Sequence, residues 1–62
     1  MTMIVELYDG TTLKASIPVD LKGLNYTPTV DEVVELAREA AVDDGVGTRE
    51  EVAALRPILR DA

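Results

Sequence analysis

The sequence contains no cysteine, histidine, tryptophan or phenylalanine, and two tyrosines are its only aromatic residues. Without cysteine and histidine there is neither a disulfide nor the usual ligand set of a zinc site. The commonest nucleophiles and proton carriers of enzymes are missing with them, so we predict no catalytic site, no cofactor and no metal site. No apolar run approaches the roughly 18 residues of a membrane-spanning helix, and no basic stretch precedes an apolar one at the amino terminus. We therefore expect no membrane association and a cytoplasmic setting.

The residues that are present make an aliphatic and acidic chain. Its 62 residues are 47% hydrophobic and 29% charged, and the formal net charge is -6. A chain of this length buries only about 60% of the surface that its unfolded form exposes, so we expect a stability of a few kcal/mol. Because disulfides and metals are excluded, self-association or a tight partner is the remaining source of additional stability. We expect one small domain over residues 1–62.

Two alternating segments predict a β-hairpin over about residues 3–18. Residues 3–8 alternate with the period of a strand, Asp9-Gly10 marks a turn, and residues 12–17 alternate again. Pro18 cannot donate to a ladder, so the second strand should end near it or lie at an edge. The alternation places Met3, Val5 and Leu7 on one face of the first strand, and Leu13, Ala15 and Ile17 on one face of the second. The sequence does not determine how the hairpin is oriented against the helices.

A connector over residues 19–28 precedes the first predicted helix, about 29–43. The connector contains Gly23, Asn25 and Pro28, and we expect it to be held to the core by Leu21, Leu24 and Tyr26. Thr29 is followed three residues later by Glu32, the spacing of a capping box, which predicts a helix start. The apolar stripe of this helix is expected to comprise Val30, Val33, Val34, Ala37, Ala40 and Ala41, with Leu36 at its margin.

A second helix is predicted over about residues 48–60. Gly45 provides the left-handed residue that commonly ends a helix, and Thr48 with Glu51 repeats the capping spacing. Pro57 is disfavoured inside a helix, so the helix either stops near Leu55 or kinks there. The predicted fold is therefore α+β, a β-hairpin followed by a helical hairpin, in which two helices cover one face of a two-stranded ribbon. The free edges of such a ribbon favour pairing with another chain.

Charge is concentrated in the helical half. Residues 31–62 hold nine acidic residues against four arginines, and Asp31, Glu35 and Glu39 line one face of the first helix. This acidic ridge is either a docking surface for a basic partner or a solvated helix face. On the predicted second helix, three arginines fall within a narrow arc, where they could contact a partner or pair with acidic residues. These candidate residues are Arg49, Arg56 and Arg60.

Two short segments of the helical half, ELARE at 35–39 and GVGTREEV at 45–52, form a further pattern. They resemble the two helices and the intervening turn of ribbon-helix-helix repressors. Members of that family are dimers that place a paired strand in the major groove of DNA. The resemblance implies a dimeric DNA-binding protein in which Lys14 and Ser16 are the outward strand residues. In this sequence a complete hairpin replaces the single strand of the family.

The composition favours a small acidic module that acts by protein–protein interaction and is not an enzyme. The expected partner is another protein or a second copy of the chain, in a homo-oligomer or a heteromeric complex. A viral or mobile-element accessory protein that inhibits a host factor fits this profile, and so does a subunit of a larger assembly. The negative net charge disfavours nucleic acid as the partner. The alternative is a dimeric ribbon-helix-helix-like repressor.

Overall fold

The computed structural model describes residues 2–22 and 25–61, and these residues form secondary structure in the order ββααβ. The strands are β1 (Thr2–Asp9), β2 (Thr12–Asp20) and β3 (Arg56–Asp61), and the helices are α1 (Val30–Asp43) and α2 (Arg49–Ala53). The predicted α+β class is confirmed, as are the β-hairpin and the two consecutive helices. The predicted order ββαα is incomplete, because a further strand follows α2.

The strands form an antiparallel sheet in the order β2-β1-β3, so β1 is its central strand. The turn between β1 and β2 contains Gly10, whose φ of 62° is the left-handed value that favours glycine. The Asp9-Gly10 turn is therefore confirmed. β2 continues past Pro18 to Asp20, and it is an edge strand, where a residue without an amide is tolerated.

The predicted helix over 48–60 is wrong beyond Ala53. In a continuous helix the ring of Pro57 would clash with the carbonyl group of Ala53 and remove one hydrogen bond. The chain instead turns, with the Leu55 amide donating to the Val52 carbonyl at 3.1 Å, and then extends alongside β1. The predicted two-stranded ribbon is wrong for the same reason, because β3 occupies the second edge of β1.

The core lies between the sheet and the two helices and is entirely aliphatic. The buried residues of the described ranges are Val5, Leu7, Ile17, Val19, Val33, Val34, Ala37, Ala41 and Val52. β1 and β2 contribute one side of this core, α1 and α2 contribute the other, and Leu21 and Leu59 pack at its margin. Both helices therefore cover the same face of the sheet, as predicted.

Several residues expected in the core lie outside it. Val30 and Tyr26 are exposed, because Val30 opens α1 before the helix meets the sheet and Tyr26 lies in the connector that precedes it. The connector prediction is confirmed for Leu21, which packs against the core. The predictions for Gly23 and Leu24 lie outside the described residues.

The alternation of residues 12–17 placed Leu13 on the same face as Ala15, but the two lie on opposite faces of the sheet. The pairing of β1 with β2 shifts register between Leu7 and Tyr8, so Ala15 pairs with Leu7 whereas Leu13 pairs with Tyr8. A bulge of this kind inserts one extra residue into one strand and reverses the faces of the residues beyond it. The side chain of Leu13 is consequently 48% exposed.

Both helices begin with the capping boxes that the sequence predicts. The Glu32 amide donates to the Thr29 hydroxyl at 3.3 Å, and the Thr29 amide donates to the Glu32 carboxylate at 3.0 Å. The Glu51 amide donates to the Thr48 hydroxyl at 3.2 Å, and the Thr48 amide donates to the Glu51 carboxylate at 2.9 Å. Each box satisfies two backbone amides at a helix start that would otherwise depend on water.

The capping hydrogen bonds make the fold sensitive to acid. The bond from the Thr29 backbone amide holds the pKa of Glu32 below its ordinary value of 4.5, and the Thr29 hydroxyl acts in the same direction. The Thr48 backbone amide and hydroxyl likewise lower the pKa of Glu51. A carboxyl group whose pKa is lower in the folded state stabilises the fold fully above its unfolded pKa. That stabilisation is lost as the pH falls through the folded pKa.

We therefore expect the thermal midpoint to fall as the pH is lowered below about 4.5 and through the lowered pKa values of these two groups. In the double variant Glu32→Gln/Glu51→Gln the side chains still accept a hydrogen bond but do not titrate, so the fall in this window should be smaller. Glu50→Gln is the control, because Glu50 makes no capping bond within the described residues. Equal acid sensitivity in the double variant and the wild type would contradict this account. The thermal midpoint is measured by circular dichroism at a series of pH values.

Candidate interaction surfaces

The acidic ridge predicted on α1 lies along a shallow groove. Asp31, Glu35 and Glu39 are all exposed and line this groove, whose volume is about 300 Å³. Leu36, which is 43% exposed, and the exposed residue Tyr26 add apolar surface to the same groove. We call this concavity the α1 groove. The structure thus brings the three predicted acidic residues together and adds apolar residues to them.

The charge of the α1 groove is only partly compensated. Glu35 lies 3.6 Å from the guanidinium group of Arg38, and the Glu35 side chain is largely exposed, which makes this pair weak. Within residues 2–22 and 25–61, Asp31 and Glu39 have no cation within salt-bridge distance. The groove is therefore an acidic surface with an apolar floor.

The predicted arc of arginines does not exist. Arg49 is in the first turn of α2, whereas Arg56 and Arg60 are in β3. Residues four apart share a face of a strand, so Arg56 and Arg60 lie on the same face of β3, with Ile58 between them and a separation of about 13 Å along the strand. Arg49 lines a small cleft of about 120 Å³ between α1 and α2.

The second notable surface is the sheet face that the helices do not cover, which we call the open face. Strand alternation places every second residue of β1 there, and the register identifies the residues beside each one. Its rows across the sheet, from β2 through β1 to β3, are Leu13-Tyr8-Arg56, Ser16-Glu6-Ile58 and Pro18-Ile4-Arg60. Five of these nine residues are apolar, and the charged ones are Glu6, Arg56 and Arg60.

Glu6 is at the centre of the open face and its charge is satisfied within the chain. Its side chain is 13% exposed, and its carboxylate lies 3.4 Å from Arg60 Nη1 and accepts a hydrogen bond from the Tyr8 hydroxyl at 3.2 Å. The guanidinium carbon of Arg56 lies 5.9 Å from the centre of the Tyr8 ring, a cation–π distance. Sequence reasoning missed this network because it depends on β3.

Arg38 is another residue that sequence reasoning missed. Its Nη2 atom donates to the Leu55 carbonyl oxygen at 3.0 Å, across the turn between α2 and β3. Its Nε atom is buried without a hydrogen-bond partner among the described residues. The helical pattern places Arg38 on the polar side of α1, and nothing in that pattern indicates its contact with the Leu55 carbonyl group. It joins α1 to the start of β3.

A larger depression, about 390 Å³, lies between the hairpin turn and α2. Its charged residues are Asp9, Lys14 and Glu51, and the Glu51 carboxylate is already engaged in its capping box. Within the described ranges, no group of three or more acidic side chains is arranged to hold a metal ion.

Comparison with protein-family models, curated proteins and solved structures finds no match to this chain. In the part of the chain that the structure describes, no helix has the length and apolar character needed to cross a membrane.

Proposed function

We propose that this chain is a small non-enzymatic protein-interaction module that binds a basic amphipathic segment of another protein in the α1 groove. The observation that carries the proposal is the combination of uncompensated carboxylates with the exposed side chains of Leu36 and Tyr26 in one concavity. Apolar side chains beside acidic ones in one concavity are what an amphipathic partner segment needs. An apolar floor with an acidic rim matches a helix that carries one apolar stripe between lysines or arginines.

The electrostatics favour such a partner on approach as well as on contact. A net charge of -6 on a chain of 62 residues attracts cationic segments over a distance set by ionic strength. Rim charges of this kind mainly raise the association rate and select the partner, whereas the apolar floor limits dissociation. An accessory protein that occupies a basic surface of its target and a subunit that docks on a basic neighbour would both use this arrangement.

Catalysis has less support than binding. Glu6 combines low exposure with a position at the centre of a surface, and its carboxylate is already held by Arg60 and Tyr8. A catalytic acid or base needs a proton-transfer geometry toward a substrate, and this carboxylate faces its own ion pair. The carboxylates of the α1 groove lie in an open and solvated surface that does not exclude water.

The double variant Glu35→Lys/Glu39→Lys is expected to weaken binding of a basic peptide. The probe is a short synthetic helical peptide with lysines one turn apart beside a single leucine stripe. Reversing two rim charges should raise Kd by about tenfold or more, which corresponds to about 1.4 kcal/mol. Isothermal titration calorimetry measures Kd, and circular dichroism checks that the variant stays folded.

The matched control is Asp43→Lys/Asp44→Lys, at the carboxyl end of α1. Each reversal adds two charges, so both double variants change the formal net charge from -6 to -2. If binding depended only on the overall field, both would weaken it equally, and that result would sink the proposal. We expect the Kd of the control to stay within about threefold of the wild-type value, because moderate salt screens charges that lie away from the groove.

A dimeric DNA-binding protein is the second candidate, favoured by the two arginines on the open face. The docking mode of ribbon-helix-helix repressors uses a strand paired between two copies. Lys14 and Ser16 lie in β2, an edge strand in which Pro18 interrupts the row of donors that such pairing needs. We expect no retention of a labelled DNA duplex in fluorescence anisotropy at moderate salt. Salt-sensitive binding that is lost in Arg56→Ala/Arg60→Ala would replace the proposed function with this second one.

A further inference from the structure

The open face is a partly apolar surface that no other element covers among the described residues. Leu13 is 48% exposed and Ile58 is 37% exposed, and the half-buried side chains of Ile4 and Tyr8 lie between them on β1. Both helices pack on the other face, and within residues 2–22 and 25–61 nothing packs on this one. An antiparallel sheet can leave one face in water when that face is polar, but five of the nine residues in the rows of this one are apolar.

The charged groups of the open face are suited to burial. Glu6 already has two partners within the chain, Arg60 and Tyr8, and the guanidinium of Arg56 lies near the Tyr8 ring. A charge that has its partner before association loses less on desolvation than an unpaired charge. Covering this face therefore removes apolar surface from water without leaving Glu6 or Arg60 unpaired.

The sheet edges are less suited to association than the face. Both edge strands contain a proline, Pro18 in β2 and Pro57 in β3. Proline in an edge strand lacks an amide and interrupts the row of donors that a further strand would need. Association by strand addition, which a bare ribbon would favour, is thus blocked at both edges, and the face remains.

The small size of the core indicates that the face is covered by more of the same protein. The core contains no residue larger than leucine, and the chain has neither cysteine nor histidine to supply a disulfide or a zinc site. Its accessible surface is 4318 Å². A folded monomer of its mass, 6.7 kDa, is expected to expose about 3,900 Å². The chain therefore exposes more surface than a typical monomer of its size. Small domains of this kind commonly gain stability through oligomerisation.

The area of the open face is comparable to the interface area of a weak dimer. Three strands about 4.8 Å apart, with residues about 3.4 Å apart, make a face of roughly 15 Å by 20 Å. Allowing for the relief of the side chains, two such faces bury on the order of 1,000 Å² in total, which is the lower end of the range for specific interfaces. An interface of this size is typical of weak or transient association, and we therefore expect a dissociation constant no tighter than about micromolar.

We propose that a second copy of this chain docks on the open face, sheet against sheet, in a two-fold symmetric dimer. Two-fold symmetry places the same patch on both sides, so the apolar residues of one copy meet those of the other. Glu6 lies in the central row, between Arg56 and Arg60 of the neighbouring strand. Because the helices cover the other face of the sheet, this arrangement leaves both α1 grooves on the outside of the dimer.

The test is molar mass by light scattering over a wide range of concentration in moderate salt. The wild type should change from monomer to dimer between micromolar and millimolar concentration. Ile58→Lys and Leu13→Lys each place an unpaired charge on the open face and should raise the dimer Kd by about tenfold or more, about 1.4 kcal/mol each. Two variants on different strands guard against a fold defect in either one, and circular dichroism checks both.

Leu36→Lys is the matched control, because Leu36 is 43% exposed, close to Ile58, and lies on α1 away from the sheet. It adds the same charge, and the dimer should be unaffected. A wild type that stays monomeric at millimolar concentration would overturn the proposal, and so would a dimer that Leu36→Lys disrupts and Ile58→Lys does not. Peptide binding is a separate readout: Leu36→Lys should weaken it and Ile58→Lys should not, so the dimer and the proposed function can fail independently.

Discussion

Replacing Leu7 with alanine is expected to leave a large fraction of the protein unfolded at room temperature. Leu7 is 0% exposed, lies in the central strand and is among the largest fully buried side chains. Truncating a fully buried leucine costs about 2–5 kcal/mol, because the lost transfer free energy is increased by the cavity left behind. A domain of this length has a total stability of a few kcal/mol, so the loss is comparable to the whole.

Urea denaturation followed by circular dichroism measures this effect. Leu36→Ala is the control, because the same truncation at a half-exposed helix position should change the free energy of unfolding by less than about 1 kcal/mol. If Leu7→Ala were no more destabilising than Leu36→Ala, the core described between the sheet and the helices would be wrong. The comparison should be made at a concentration below the dimer range, so that association does not offset the loss.

Arg38→Ala is the second substitution with a large expected effect, because Arg38 joins α1 to the turn before β3. Its side chain is 23% exposed, and its Nη2 atom donates to the Leu55 carbonyl oxygen at 3.0 Å. A hydrogen bond from a charged donor contributes about 1.5–3 kcal/mol, and the variant leaves that carbonyl without it. Arg38→Lys should recover only part of the loss, because an ammonium group lacks the planar fork of a guanidinium.

Arg49→Ala is the control for this substitution. Arg49 is exposed and lines the same cleft between α1 and α2, so its removal should change stability by no more than about 0.5 kcal/mol. Amide hydrogen exchange distinguishes the role of Arg38 from general destabilisation. In Arg38→Ala the β3 amides that are hydrogen-bonded to β1 should lose protection before those of the β1–β2 hairpin. Uniform loss of protection across the sheet would contradict a specific role at the turn.

Local sequence signals predicted the parts of the fold whose hydrogen bonds are local. The capping spacings Thr29 to Glu32 and Thr48 to Glu51 fix helix starts through bonds between residues three apart, and both were confirmed. Gly45 ends the first helix as expected. Its φ is 81°, its amide donates to the Val42 carbonyl at 3.1 Å, and the next amide donates to the Ala41 carbonyl at 3.0 Å.

The third strand was missed because its pairing is non-local. Residues 55–60 contain leucine and isoleucine at spacings that fit a helix, and the partner that makes them a strand is β1, about fifty residues earlier in the chain. Pro57 was the available signal, since it disfavours a helix and is tolerated in an edge strand. Pro57 did predict that the helix could stop near Leu55, and α2 ends at Ala53, but it carried no signal that the residues after the stop form a strand.

The candidate site residues were also predicted correctly where local spacing was sufficient, and incorrectly where their position depended on distant parts of the chain. Asp31, Glu35 and Glu39 were placed correctly on one surface, because helical spacing alone determines which residues of α1 are neighbours. Arg49 was grouped with Arg56 and Arg60 only through a helix that does not continue, so that grouping failed. The apolar contribution of Tyr26 to the α1 groove depends on the path of the connector, which carries no periodic signal.

The two proposed surfaces lie on opposite sides of a two-layer fold. The helices form one layer, with the α1 groove on its outer side, and the sheet forms the other layer, with the open face away from the helices. Dimerisation through the open face would therefore present two α1 grooves to solvent. A target with two basic segments at a matching distance would bind such a dimer more tightly than a monomer through effective concentration.

The central claim is that the α1 groove binds a basic helix, and amide chemical shifts measured by two-dimensional NMR during titration with the basic peptide test it most directly. The account predicts saturable shifts that are largest at the residues of the groove, namely Tyr26, Asp31, Glu35, Leu36 and Glu39. The same titration of Glu35→Lys/Glu39→Lys should give much smaller shifts at equal peptide concentration. The account would be contradicted by amide shifts confined to the residues of the open face. Shifts of equal size at the amides of all acidic residues would contradict it as well.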